Sequence, residues 1–437
     1  MLGRLLVAAV AAVVSVSAVA QRAADALDAP ETGAAGRDRD SGADTAADAA
    51  AEPPTPSTPP GRFRASLGAR GLEIAPADGR YTLELGGRLH VDWARHSGDT
   101  GPRAPADGAD LRRARIAVGA RLDEPWRFFG EVDFAGDDVA VTDLSVAYEV
   151  DDRLRVTLGQ QKQPYSLGLE MSSNDIPFVE RGIDNALVAP FVGRALGIRL
   201  DASGRRWFAA GGVYGEPIDD DGEGWGTAVR FVVAPVADAD VALHVGIRAA
   251  YREPAADAST RIRDETTSFS DLSIVDTAPI AGVDGVTLYG PEAAFAAGPF
   301  SVFGEYSRAR IEHALGTSSF DAWHVAATWS LTGESRAAAY DVADGEFKRL
   351  EPRATFSPGN ARGAWELAVR YASIDLNDEL LTGGMENAIS LAANWYPHPR
   401  VRAMFDWTRI LDTDASNETR AAAEGLDVVT VRTQWAF

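Results

Sequence analysis

RYTLELGGRLHVDWARH, residues 80–96, alternates with a period of two. Leu83, Leu85, Leu89, Val91 and Trp93 share one face of an extended strand, and Glu84, Arg88, His90 and Asp92 share the other. Successive side chains of a strand point to opposite faces, so this stretch reads as a strand with one apolar and one charged side. The pattern returns in ADLRRARIAVGARL (109–122), where Ala114, Ile116, Val118, Ala120 and Leu122 oppose Arg113, Arg115 and Arg121. In DVALHVGIRAAYR (240–252), Val241, Leu243, Val245, Ile247 and Tyr251 oppose His244, Arg248 and Arg252. VRAMFDW (401–407) sets Val401, Ala403, Phe405 and Trp407 against Arg402 and Asp406. GLDVVTVRTQWAF (425–437) sets Val429, Val431, Thr433, Trp435 and Phe437 against Val428, Thr430, Arg432 and Gln434.

The connections alternate too. Short turns such as DEPW (123–126), VDDR (150–153), DASGR (201–205) and YPHPR (396–400) hold Asp, Gly or Pro where turns need them. Longer polar stretches lie between them, at 97–110, 163–193, 252–284, 374–385 and 412–425. By parity the stretch 333–362 falls on the short-turn side, although it is long. The count comes to roughly 16 strands, an even number with short turns at one end and long loops at the other. A soluble sandwich or propeller and a transmembrane barrel both fit the period, because alternation does not say which face meets water. Three features favour an all-β, antiparallel transmembrane barrel. Beyond the first residues no apolar run is long enough for a spanning helix, and a closed barrel is the other way to satisfy backbone groups in lipid. Trp93, Trp126, Trp207, Trp225, Trp395 and Trp435 sit near strand ends, where interfacial girdles lie. A last strand ending on Trp435 and Phe437 can pair with the first to remove both sheet edges. Such an ending also suits recognition by a barrel-assembly machinery.

The N-terminal region carries different signals. Met1-Leu2-Gly3-Arg4, the apolar run Leu5–Val16 and Ala18-Val19-Ala20 together fit a cleaved export signal over residues 1–20. Residues 21–60 are rich in Ala, Asp, Pro and Thr and read as a disordered linker. The barrel domain is then expected over 61–437, in a Gram-negative outer membrane with lipid and lipopolysaccharide around it. Zero cysteines exclude a disulfide scaffold and thiolate metal sites. A net charge of −22, from 64 acids against 42 bases, argues against nucleic acid as a partner. Histidines at 90, 96, 244, 313, 324 and 398 are scattered, and neither GxSxG nor HExxH occurs, so no enzyme is expected. No pattern calls for a cofactor or a metal. A second reading makes residues 21–60 a tether to the cell wall, with the barrel as its anchor.

Several stretches together resemble the phosphate-selective porin O and P family. They are LRRARIAVGARL, VDFAGDDVAVTDLSVAYE, LGQQKQPYSLGLEMSSNDIPFVERG, RALGIRL, GAWELAVRYASIDLND and NWYPHPRVRAMFDWTRI, in order over most of residues 80–437. The resemblance implies a barrel of about 16 strands, a homotrimer, and a third external loop folded inward to narrow the pore. It places Arg112, Arg113 and Arg115 in an arginine-rich second strand, Asp143 at an acidic lumen position, and Lys162 at the mouth of the narrowing loop. Glu180 and Arg181 match the Glu-Arg pair in that loop. The family's constriction lysines are missing, since residues 163–193 contain none and Asn174 stands where one is expected.

Arg88, Arg112, Arg113, Arg115, Arg121, Arg127, Lys162, Arg181 and Arg194 are the candidate pore-lining, anion-binding residues. Glu170, Asp175, Glu180 and Asp184 are the acids of the narrowing loop. A phosphate leaves water only where fixed donors and positive charge replace its hydration. Glu131, Asp133 and Asp143 on adjacent strands can instead pair with those arginines and neutralise them. A basic wall facing an acidic loop steers both signs of ion and binds neither strongly. The expected function is a porin for passive diffusion of small hydrophilic solutes and inorganic ions, with a dedicated phosphate channel as the alternative.

Overall fold

The computed structural model describes residues 63–68, 71–76, 79–98, 107–220, 222–255, 259–264, 272–414 and 424–437. The expected signal and linker lie outside these residues. The chain forms an 18-stranded antiparallel sheet. Its first two strands, β1 (Phe63–Gly68) and β2 (Gly71–Pro76), form a hairpin, which leaves 16 for the barrel. Those are β3 (Tyr81–Ser97), β4 (Gly108–Leu122), β5 (Trp126–Asp133), β6 (Ala140–Asp151), β7 (Leu154–Lys162), β8 (Arg194–Ser203), β9 (Trp207–Tyr214) and β10 (Trp225–Ala237). Then come β11 (Val241–Glu253), β12 (Gly285–Ala297), β13 (Phe300–His313) and β14 (Gly316–Ser330). A two-strand excursion, β15 (Tyr340–Asp341) and β16 (Glu346–Phe347), precedes β17 (Ala364–Asn377), β18 (Thr382–His398), β19 (Val401–Thr413) and β20 (Asp427–Ala436). Each barrel strand pairs with its neighbours in sequence, and β20 closes the ring on β3, from Asp427↔Ser97 to Ala436↔Arg88.

Closure explains the aromatic ending. Phe437 exchanges both backbone hydrogen bonds with Gly87, at 2.9 and 3.0 Å, and its ring stacks on Trp435 at 4.6 Å. A Cβ at position 87 would sit 2.5 Å from the Arg115 carbonyl oxygen on the next strand and 3.0 Å from that ring, so glycine is what fits there. Below this point β3 runs on past the end of β20, and β2 takes over its free edge, with Leu72↔Leu85 and Ile74↔Leu83.

The faces are inverted relative to a soluble protein. Ile116 is 49% exposed and Val118 45%, while Arg113 is 6% exposed and Arg432 0%. Arg230, Arg402 and Arg432 are the bulkiest of the fully buried side chains. Apolar side chains therefore face outward, where lipid replaces water as their solvent, and the lumen is polar. Among the described residues no helix is long and apolar enough to cross a membrane.

Two connections differ from expectation. The stretch 374–385 is mostly strand, leaving a short link between Asn377 and Thr382. The stretch 333–362 does lie on the short-turn side, but it is a folded insertion: a 3-10 turn (Ala337–Ala339) and the β15–β16 hairpin. Its contacts are with lumen side chains, which explains why a turn is so long.

Candidate functional site

The connection between β7 and β8, residues 163–193, packs inside the barrel. Tyr165, Leu187, Val188, Phe191 and Val192 join Ile311 and Phe320 of the wall in one apolar cluster. Its first helix, α1 (Leu167–Glu170), is one turn long and would not persist in water. Charges fix it at both ends. The Ser166 hydroxyl accepts from Leu169 N at 3.2 Å, Glu292 accepts from Leu167 N at 2.9 Å, and Glu305 accepts from Gly168 N at 2.5 Å. At the other end Lys162 Nζ donates to the Leu169 and Glu170 carbonyls at 2.9 and 2.8 Å. Arg181 donates to the Gly168 and Met171 carbonyls at 2.6 and 2.9 Å. Acids at the donors and cations at the carbonyls match the helix's own polarity. Lys162 and Arg181, expected to line the pore, are thus committed to the loop's backbone.

Three acids of the loop reach an arginine of the barrel or of the turn-side insertion, and the fourth reaches a histidine. Glu170 meets Arg199 at 3.1 Å, Asp175 meets Arg349 at 3.5 Å, and Asp184 meets His324 at 2.8 Å. Glu180 is the hub, with Arg112 at 3.1 Å, Arg113 at 2.9 Å and Arg432 at 2.6 Å. Burial pushes the Glu180 carboxyl up, but Arg113, Arg432 and Arg112 outweigh it and hold it well below the usual carboxylate range. By strict alternation Arg112 belongs on the lipid side. A bulge in β4, where the register steps from His90↔Arg113 to Val91↔Leu111, re-aims it beside Arg113.

The rest of the expected arginine ladder is laterally paired. Arg88 meets Glu131 at 2.6 Å, and Arg115 bridges Glu131 at 2.9 Å and Asp133 at 2.6 Å. Arg194 meets Asp143 at 2.9 Å, and Arg127 donates to Glu149 at 2.6 Å. Arg121, opposite Arg127 near the short-turn end, makes no ion pair among the described residues. The loop divides the lumen. A cavity of about 370 Å³ on the long-loop side touches Arg112, Arg113 and Glu180, and one of about 350 Å³ on the turn side touches Arg121, Arg127 and Arg199.

The 333–362 insertion enters from the turn side. Arg336 pairs with Glu366 at 2.6 Å, Arg230 donates to the Gly345 carbonyl at 2.8 Å, and Tyr340 Oη lies 2.8 Å from His244 Nδ1. Phe347 packs in one cluster with Leu167, Met171 and Ile176 of the inward loop. Two connections from opposite ends therefore meet in the lumen. Burial pushes the Glu346 carboxyl up to about 7, against the pull of Lys348 and Lys162. Arg199, Glu292, Glu305, Arg370, Arg432 and this insertion do work that sequence reasoning did not assign. The period did place Arg432 on the lumen face, but nothing in it named a partner across the barrel.

A family model described as phosphate-selective porin O and P matches residues 83–437. Porin O of Pseudomonas aeruginosa (strain PAO1) is 25% identical over 408 residues, 84% of this chain and 91% of that protein. An uncharacterized protein of Caulobacter vibrioides is 27% identical over 343 residues, 74% of this chain and 67% of that one. Among solved structures, a loop L8 deletion mutant of OmpT, an outer membrane protein of Vibrio cholerae, aligns with a TM-score of 0.53 at 12% identity, over 82% of this chain and 100% of that one. An anion-selective porin from Comamonas acidovorans aligns at 0.50 and 13%, over 82% and 100%. These likenesses show the 16-strand porin fold.

Proposed function

The chain belongs to the phosphate-selective porin O and P family, and from that premise we propose that it is a water-filled channel for passive diffusion of small hydrophilic solutes and ions, with weak charge selectivity. Family and fold are those of outer-membrane, non-enzymatic channels, which removes the reading of an enzyme built on a barrel. The observation that carries the proposal is the pairing of charge. Glu170, Asp175 and Glu180 each meet a cation, Asp184 meets His324, and Arg88, Arg115, Arg127 and Arg194 each meet an acid. A fixed charge neutralised by its neighbour has little field left for an ion in the lumen.

The dedicated phosphate channel is the second reading. It draws on Arg181 and Arg370, whose hydrogen bonds go to carbonyl and hydroxyl oxygens and not to carboxylates. Those donors sit on the loop and the facing wall, where a phosphate would pass. Assembly as a homotrimer in lipopolysaccharide, export by the N-terminal signal and recognition of Trp435 and Phe437 by assembly machinery belong to the same proposal. Swelling of liposomes holding the purified channel tests it. Uncharged sugars and phosphate of similar size should enter at rates within a few-fold of each other. Entry of phosphate with exclusion of the sugars would replace diffusion by the phosphate-channel reading.

A further inference from the structure

The outer wall of β13 changes character along its length. Phe300 and Val302 face outward and are exposed, and Phe300 stacks on Trp329 of β14 at the turn-side end. Further along the same face come Tyr306, Arg308, Arg310 and Glu312, while Ser307, Ala309 and Ile311 between them are buried toward the lumen. A strand rises about 3.4 Å per residue and tilts by about 40° in a barrel, so the step from Phe300 to Arg310 climbs about 26 Å. An apolar band is about 25 Å tall. Arg310 therefore stands at the headgroups of the outer leaflet, on the side of the long loops, and Arg308 stands about 5 Å below, within reach by snorkelling.

An outward arginine is costly at mid-membrane and tolerated at the interface, where its charge still calls for an anion. On β19, Arg409 finds that anion within the protein, in Asp427 at 3.1 Å. Arg308 has Asp321 of β14 at 3.4 Å, and the Tyr306 hydroxyl donates to the same carboxylate. Arg310 is exposed and makes no ion pair or side-chain hydrogen bond among the described residues. Glu312, two residues on along the same face, does not pair with it. Directly across from Arg310 stand Thr287 of β12 and Ser319 of β14, and Tyr289 stands across from Arg308. A guanidinium is thus flanked on both sides by hydroxyls that can donate with it, and it opens toward lipid. Planar, permanently charged arginine with added donors is the chemistry that holds a phosphate.

We propose that Arg310, with Thr287 and Ser319 beside it, binds the phosphate of an anionic outer-leaflet lipid of the lipid A class. Arg308, already answered by Asp321, supports the site from below. The place selects a lipid phosphate over a free one, because the residues lie on the lipid side of the wall at headgroup height. The same wall separates them from the lumen charges, so the site stands apart from the selectivity argued above.

The test uses the full-length purified channel in detergent freed of lipopolysaccharide, titrated with bis-phosphorylated lipid A, its dephosphorylated form and inorganic phosphate. Native mass spectrometry counts bound lipid, the unfolding midpoint follows its effect, and heat-modifiable migration shows that each variant is folded. Phosphorylated lipid should bind saturably and raise the midpoint, and the dephosphorylated form should bind more weakly by about fivefold or more. Arg310→Gln should weaken the phosphorylated lipid by a similar factor and leave the other form unchanged. Thr287→Val combined with Ser319→Ala should weaken it by a smaller factor, and this pair carries the comparison if the arginine variant does not fold. Asp321→Asn, which frees Arg308, should strengthen it. Arg409→Gln, at a guanidinium held by Asp427, should leave it as it was. Equal affinity for the two lipid forms, or an Arg310→Gln variant that binds no worse than Arg409→Gln, would overturn the site. Saturable binding of inorganic phosphate that Arg310→Gln abolishes would overturn the lipid in favour of a free anion.

Discussion

Replacing Glu180 by Gln removes the one carboxylate that Arg112, Arg113 and Arg432 share, while leaving a side chain of the same size. Arg432 keeps Asp92, at 2.6 Å, so the charge set free belongs to Arg112 and Arg113. A unit charge about 7 Å from an ion in water is worth about 0.6 kcal/mol, close to RT. Anions gain and cations lose by that amount, so the anion-to-cation permeability ratio should rise roughly sevenfold at low salt. At about 0.1 M salt screening halves the energy, and the ratio should rise roughly threefold. The structural effect is smaller. The Glu180 side chain keeps 36% exposure, so each lost pair is worth about 1 kcal/mol or less and not the value of a fully buried one. Three other acids still hold the loop, and conductance should change less than about twofold. Reversal potentials under a KCl gradient, at two salt concentrations, measure the ratio. An unchanged ratio, or one that moves toward cations, would refute the claim that this carboxylate neutralises the arginine wall.

Three further outcomes are expected. Lys162→Met removes a donor to two carbonyls of α1, so chloride conductance should rise as the loop loosens; a fall would restore Lys162 as a pore-lining charge. The two connections should respond to pH with opposite signs. Glu180 is held below the ordinary range, so its stabilisation persists down through pH 4.5 and is lost only as pH falls further. Glu346 is raised to about 7, so its contribution is full below its ordinary value and fades as pH climbs from about 4.5 through about 7. Conductance of the wild type should therefore increase toward alkaline pH as the turn-side insertion loosens, and Glu346→Gln should flatten the curve; an equal slope in both would clear Glu346. Deleting Phe437 removes both backbone bonds to Gly87, and the heat-modifiable folded fraction in outer membranes should fall several-fold, whereas wild-type yield would show the residue to be incidental.

The fold was legible because lipid enforces it. Ile116, Val118 and Val431 had to alternate with Arg113, Arg115 and Arg432, and a strand of that period ending in Trp435 and Phe437 invites closure. The site was legible as a collection of charges and not as an arrangement. Glu180 and Arg432 lie 252 residues apart, and no local pattern joins them. The period alone puts Arg112 on the lipid face; the resemblance places it in the lumen, and the bulge in β4 supplies the physical reason. The excess of acid in 163–193 suggested a field across the pore, whereas these acids are the tethers of a loop whose helix is capped by Lys162 of β7 and the loop's own Arg181. Residues 333–362 showed the limit most plainly, since parity placed them correctly but said nothing of their entry into the lumen.

The central claim is that the lumen's charges answer one another. The reversal potential of the purified wild-type channel in a planar bilayer, first under a KCl gradient and then under a phosphate gradient, tests it most directly. The account predicts a small reversal potential in KCl and no block of chloride current by phosphate at low concentration. Strong anion selectivity with phosphate block would contradict it, and would mean that arginines such as Arg121, Arg181 and Arg370 govern the pore.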